Sequence, residues 1–235
     1  MTEGAEAESR WRRRAAEALT IVVGILLALA ADAGRQYVAD RGTERDILAA
    51  LRVEFAVDVQ ELEADQDQRA QKLAAIDFLS EVHSGAAESP DLDSLAAAVM
   101  WTMNWRYYTP SHPVLDDLLT TGRLDLIRSD DLRRALMAFG GERARLAVVE
   151  ERERDFVARD VQTYLAARLD LESLYSPRTP EQRSAALRAL PEVIAAPSFG
   201  SLLYLDRDRA ESSSSFANTL LEAVFAVQKA LGEQG

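Results

Sequence analysis

Apolar residues recur at threes and fours along nearly the whole chain after Thr43, and this spacing points to an all-α fold. Strand signals are almost absent: there is no long alternating β-branched run and no Asn-Gly or Asp-Gly hairpin. The first stripe reads Ile47, Leu48, Leu51, Phe55, Val59 and Leu62, then resumes at Leu73, Ile76 and Leu79. Between its two parts, Ala64 to Lys72 is polar nearly all round, which predicts a solvated face or a surface that meets a partner.

Helix ends can be read from caps and stops. Ser89-Pro90 predicts a second helix from about Pro90 to Arg106, with Ser89 as cap and the proline in the first turn. Ser111 to Thr121 reads as a third, stopped by Gly122. Leu124, Leu126 and Ile127 fill a connecting turn. Ser129 with Asp130 and Asp131 starts a fourth, which continues through Gly140-Gly141 or bends there and reaches about Leu169. Tyr175 to Pro180 is the clearest loop, and Thr179-Pro-Glu-Gln182 restarts a helix with a capping-box pattern. After Pro197 the last helix carries Leu202, Leu205, Phe216, Leu220, Val224, Val227 and Leu231. Its Ser212 to Ser215 run stays in register with that stripe and is expected inside the helix as a small-residue contact. The sum is a bundle of long antiparallel helices.

The N-terminal segment addresses location. Arg10, Arg12, Arg13 and Arg14 precede an uncharged run from Ala18 to Ala31, and acids return at Asp32 and Asp40. The run is shorter than the roughly 20 residues needed to cross a hydrocarbon core. Widened to residues 15–37, it is flanked by Trp11 and Tyr37, aromatic residues suited to the two interfaces. Trp11 to Tyr37 then spans roughly 39 Å as a helix, close to a bilayer with its headgroups. Glu17 stands three and four residues after Arg14 and Arg13 and can pair with them. The expectation is an N-terminal transmembrane helix, with residues 1–14 cytoplasmic and 38–235 extracytoplasmic, the arginine distribution giving the orientation. The alternative is a cleaved export signal ending at Ala28-Leu-Ala30 or Ala31-Asp-Ala33. The small residues Gly24, Ala28 and Ala31 lie roughly on one face and would allow two spans to approach, so a homo-oligomer is a further expectation.

A net charge of −12 argues against nucleic acid as a partner. The chain has no cysteine, which excludes disulfides and thiolate metal sites. No nucleophile elbow, Ser-x-x-Lys pair, Rossmann glycine pattern or P-loop occurs, so neither an enzyme nor a cofactor is expected. The best candidate surface is the aromatic cluster Trp101, Trp105, Tyr107 and Tyr108, with Arg106, His112 and Asp116 nearby. On a helix Trp101 and Trp105 would share a face, either stacking on a ligand or partner or plugging the end of the core. His112 with Asp116 and Asp117 offers too few ligands for a zinc site. Glu150-Glu-Arg-Glu-Arg-Asp155 reads as a solvated, mixed-sign helix face.

Two patches carry a resemblance. Glu17-Ala-Leu-Thr-Ile-Val-Val-Gly-Ile-Leu-Leu-Ala-Leu29 resembles the anchor of an uncharacterised (domain-of-unknown-function) family of bacterial single-pass membrane proteins. In that family an acid precedes a Gly-Ile-Leu-x-Ala-Leu core. Leu118-Leu-Thr-Thr-Gly-Arg-Leu-Asp-Leu-Ile127, followed by Ser129-Asp-Asp-Leu-Arg-Arg-Ala-Leu136, is similar to its second recurring pattern. After Ala28-Leu29 the family has polar residues and a tryptophan, where this chain has Ala30-Ala-Asp32. The resemblance implies an inner-membrane anchor with a helical outer domain, and no activity. The functional expectation is therefore a periplasmic binding domain held to the lipid bilayer by its single transmembrane helix, acting as scaffold, assembly partner or sensor toward an unidentified protein. A secreted helical protein, or a ligand site or enzyme at Trp101–Asp117, is the alternative.

Overall fold

The computed structural model describes residues 41–87, 90–108 and 110–234, and every regular element among them is helical. The expected basic N-terminus and transmembrane segment, with Trp11, Arg13, Arg14, Glu17, Gly24, Ala28 and Tyr37, lie outside the described residues, as does Ser89. No helix among the described residues is long and apolar enough to cross a membrane.

Helix α1 (residues 41–56) leads across Val57 into α2 (Asp58–Ser84), which Gly85 ends in the left-handed conformation at φ 76°. Helix α3 (Leu92–Thr102) is capped by Asp91, whose carboxylate accepts the Ser94 N–H at 2.8 Å. It is shorter than the sequence suggests at both ends, and Trp105 and Arg106 fall beyond it. Helix α4 (Pro113–Thr121) takes its N-terminal cap from another element: Glu54 on α1 accepts from Val114 N at 2.7 Å and Leu115 N at 3.3 Å. Gly122, φ 70°, stops it and a 3-10 turn (Arg123–Leu126) follows.

Helix α5 (Asp130–Phe156) starts at its Ser129 cap and runs through Gly140-Gly141 without interruption. Its irregularity comes later, in a π turn (Val157–Val161) that leads into α6 (Gln162–Ala166). Helices α7 (Leu171–Tyr175) and α8 (Pro180–Ala195) close one end. The α8 cap is close to the expected box: Thr179 Oγ1 accepts the Gln182 N–H, but Gln182 Oε1 reaches the Arg178 N–H, one residue early. Helix α9 (Pro197–Gly232) is unbroken through the serine run.

The long helices bury one seam each, in alternating steps of four and three. On α1 and α2 the seam is Leu51, Phe55, Asp58, Leu62, Asp65, Arg69, Lys72, Ile76 and Leu79. On α9 it is Phe199, Leu203, Asp206, Ala210, Ser213, Ala217, Leu220, Val224, Val227 and Leu231. On α5 it includes Leu132, Leu136, Phe139, Leu146, Glu150, Glu153 and Val157. Such a 3.5-residue repeat is the geometry of coiled-coil packing. Early residues of the first seam meet late residues of α9, as in Arg52 Nη2 to Leu231 O (3.1 Å), Gln228 Nε2 to Phe55 O (2.8 Å) and Gln66 Nε2 to Asn218 Oδ1 (2.6 Å). The two helices are therefore antiparallel.

Packing divides into two apolar cores. One gathers Ile76 and Leu79 with α3, α8, the π turn and the start of α9. The other gathers Leu51 to Leu62 with α4, the first half of α5 and the end of α9. The three long helices cross both, and where they pass from one core to the other their seam residues are charged.

Candidate functional site

The charged layer is built from the seams themselves. Asp65, Arg69 and Lys72 on α2, Glu150 and Glu153 on α5, and Asp206 and Ser213 on α9 are all buried. The Arg69 guanidinium donates to Asp65 Oδ2 at 2.6 Å, to Ser213 Oγ at 2.7 Å and to Glu150 Oε1 at 2.5 Å. Lys72 Nζ donates to Glu153 Oε1 at 2.7 Å, and Ser213 Oγ donates to Glu153 Oε2 at 2.6 Å. Lys72 Nζ also lies 3.1 Å from Asp206 Oδ1, near enough for an ion pair but off the hydrogen-bond axis. Both Asp206 oxygens thus lack a hydrogen-bond donor among the described residues.

Four acids face two buried bases, so a third cation is recruited from outside. Arg106 Nε reaches Asp65 Oδ1 at 3.2 Å while its side chain stays 42 % exposed. Burial pushes the Glu150 carboxyl up to about 7 against the opposing pull of Arg69 and the Tyr108 N–H. Burial likewise pushes Asp206 up to about 6, opposed by Lys72. Surplus negative charge in the layer is therefore relieved by protons near neutral pH.

The segment after α3 is held to this layer by two ties: the Arg106 side chain on Asp65, and the Tyr108 backbone N–H on Glu150 at 3.1 and 3.2 Å. These tertiary bonds, with the tight turn from Asn104 N to Trp101 O, explain why helical spacing stops at Thr102. Trp101 and Trp105 do not share a helix face, as the sequence suggested; they converge through the turn. With Arg106 they line an open cleft of about 430 Å³ whose other walls are Gln68, Gln71 and Asn104, over Arg69, Lys72 and Glu153.

The remaining expected residues scatter. Tyr107 and Tyr108 line a neighbouring hollow of about 470 Å³ with Gln60, Glu61 and Asp65, which also borders Arg106. Tyr108 is buried, and its hydroxyl is raised well above the usual phenol range, first by burial and then by the Asp58 carboxylate. His112 is not a surface group: its ring packs 5.0 Å from both Phe55 and Phe139, with Nε2 2.9 Å from Asp58 Oδ2. Asp116 is exposed and pairs with Arg143. Neither reaches the cleft.

Two sequence expectations are overturned in part here. The polar stretch Ala64 to Lys72 is not solvated all round: Ala64, Asp67, Ala70 and Gln71 are exposed, but Asp65, Arg69 and Lys72 occupy core positions. Nor is Glu150 to Asp155 wholly solvated, since Glu150 and Glu153 point inward while Glu151 and Arg152 face water. The signal that finds them is register: Asp65, Arg69 and Lys72 continue the steps of four and three from Leu62 to Ile76, and Glu150 and Glu153 continue those from Leu146. Compared with known protein families, curated proteins and solved structures, the chain matches none of them.

Proposed function

We propose that this chain is a single-pass bacterial inner-membrane protein whose acidic helical domain lies in the periplasm and acts by binding rather than by catalysis. The membrane part rests on residues 10–40: the basic flank, the uncharged run and the interfacial aromatic residues. The binding part is carried by one observation, the cleft of Trp101, Trp105 and Arg106 above the buried charge layer. An exposed indole beside a partly engaged guanidinium is the composition of a binding hot spot, and a rigid three-helix seam beneath it keeps the walls in place. Paired spans through Gly24 and Ala28 fit the same reading, as does a protein partner brought to the membrane.

The test places a photocrosslinking amino acid at Asn104, on the cleft rim, and at Arg188, exposed on α8, in full-length protein in cells. A specific adduct from Asn104 that disappears with Trp105→Ala, and none from Arg188, is the expected result. Equal adducts from both sites, or none from Asn104, sink the binding role. Sequencing the N-terminus of membrane-bound protein tests the anchor, which fails if the mature chain starts between Ala31 and Gly34.

A further inference from the structure

Hydrogen-bonding capacity around the cleft is uneven, and the imbalance points to its occupant. Glu153 is the one acid in the wall, and both its oxygens are engaged, one by Lys72 and one by Ser213. The donors are not exhausted. Arg106 is held only through Nε, so among the described residues its two terminal nitrogens meet no acceptor. Lys72, 95 % buried (relative exposure 5 %), has three N–H groups and one on-axis acceptor. The side-chain amides of Gln68, Gln71 and Asn104 hold no hydrogen bond to another described residue. A cleft with two incompletely engaged cations and no open carboxylate favours an anionic ligand.

The charge layer limits how negative that ligand can be. Asp65, Glu150, Glu153 and Asp206 already outnumber Arg69, Lys72 and Arg106. At most a single added charge is therefore held, chiefly on the Arg106 fork at the open side of the cleft, and a second meets strong repulsion. The rest of the wall is indole. Trp105 is 36 % exposed and pairs with no other ring among the described residues, and Trp101 beside it is only half-buried. A volume near 430 Å³ is that of a small-molecule site.

We propose that the cleft binds a small organic monocarboxylate bearing a flat apolar group, the carboxylate on the Arg106 fork and the Lys72 ammonium, the apolar group against Trp105. This deepens the binding role by naming a ligand class, and it fails separately from that role. The experiment titrates full-length protein in detergent with phenylacetate, its neutral amide phenylacetamide, and phenyl phosphate as the dianion, following heat or tryptophan fluorescence. Phenylacetate is expected to bind at least about tenfold more tightly than either comparator. Arg106→Lys keeps the charge and the Asp65 contact but removes the fork, and should cut that preference severalfold. Trp105→Ala should weaken acid and amide alike. Melting curves confirm that both variants fold. No preference for the acid over the amide, a preference for the phosphate, no binding up to about 10 mM, or a preference untouched in Arg106→Lys overturns the proposal. If the Asn104 adduct persists while the acid does not bind, the cleft still binds, but to other chemistry. If both are missing, the two readings fall together.

Discussion

Lys72 is the residue on which the charge layer most depends, because among the described residues it is the ion-pair partner of Asp206 and also holds Glu153. Replacing it with methionine keeps much of the volume but leaves buried Asp206 without its ion-pair partner and Glu153 with only the longer pair to Arg69 at 3.9 Å. Loss of one partner from a buried ionic cluster typically costs about 3–5 kcal/mol. We expect Lys72→Met to destabilise by that order in denaturant melts, and Lys72→Met with Asp206→Leu to recover a substantial part. A double variant no better than the single one would show that the ion pair is not what holds this layer. Glu150 carries a different expectation. Its folded-state pKa near 7 exceeds the ordinary 4.5, so the folded chain holds the proton more tightly than the unfolded chain across that interval. Stability contributed by this group is complete below about 4.5 and is lost as pH rises to about 7. Asp206, raised from 3.8 to about 6, acts in the same sense over a lower window. Domain stability should therefore fall between about pH 4 and 7, by up to a few kcal/mol, and Glu150→Gln should flatten the upper part of that slope. A melting temperature that rises over this range in the wild-type protein would contradict the assignment.

Individual elements show which rules of local sequence survive in the folded chain. The Ser129 and Thr179 caps, the Gly122 stop and the continuity of α9 through Ser212 to Ser215 were all legible, because each rests on backbone bonds within a few residues. The α3 terminus was not, because bonds to Asp65 and Glu150, distant in sequence, override the helical spacing of Trp101 and Trp105. At Gly140-Gly141 the sequence left continuation or a bend open; α5 continues, and changes its hydrogen bonding only at Val157–Val161. A glycine that went unremarked in the sequence matters more. Gly200, in the first turns of α9, sits where an added methyl would overlap the His83 ring, which is fixed by a 2.7 Å bond from Nδ1 to Ile194 O. Gly200→Ala gains intrinsic helix propensity of about 1 kcal/mol, so a neutral substitution would be the outcome without crowding. We expect a net loss of about 1–3 kcal/mol, and His83→Ala in the same chain should recover it.

Across the whole molecule, the sequence spacing identified the all-α bundle but misplaced its interior. Reading apolar residues alone divides the first long stripe at Ala64 and treats the polar interval as surface. Reading positions instead of residue types carries the same stripe unbroken through Asp65, Arg69 and Lys72. The candidate site was half legible for a related reason: Trp101, Trp105 and Arg106 are conspicuous types, whereas the acids and bases under them resemble any solvated helix until the third helix supplies their partners.

A seam of hydrocarbon throughout would leave the three long helices free to exchange one alignment for another at little cost. Sliding α9 by one heptad, about 10 Å, would set Leu220 against Arg69 in one direction or Phe199 against Lys72 in the other. Either slip breaks both the Arg69–Ser213 bond and the Lys72–Asp206 pair. The polar layer thus acts as a key cut into an otherwise smooth shaft, rejecting every sliding position but one.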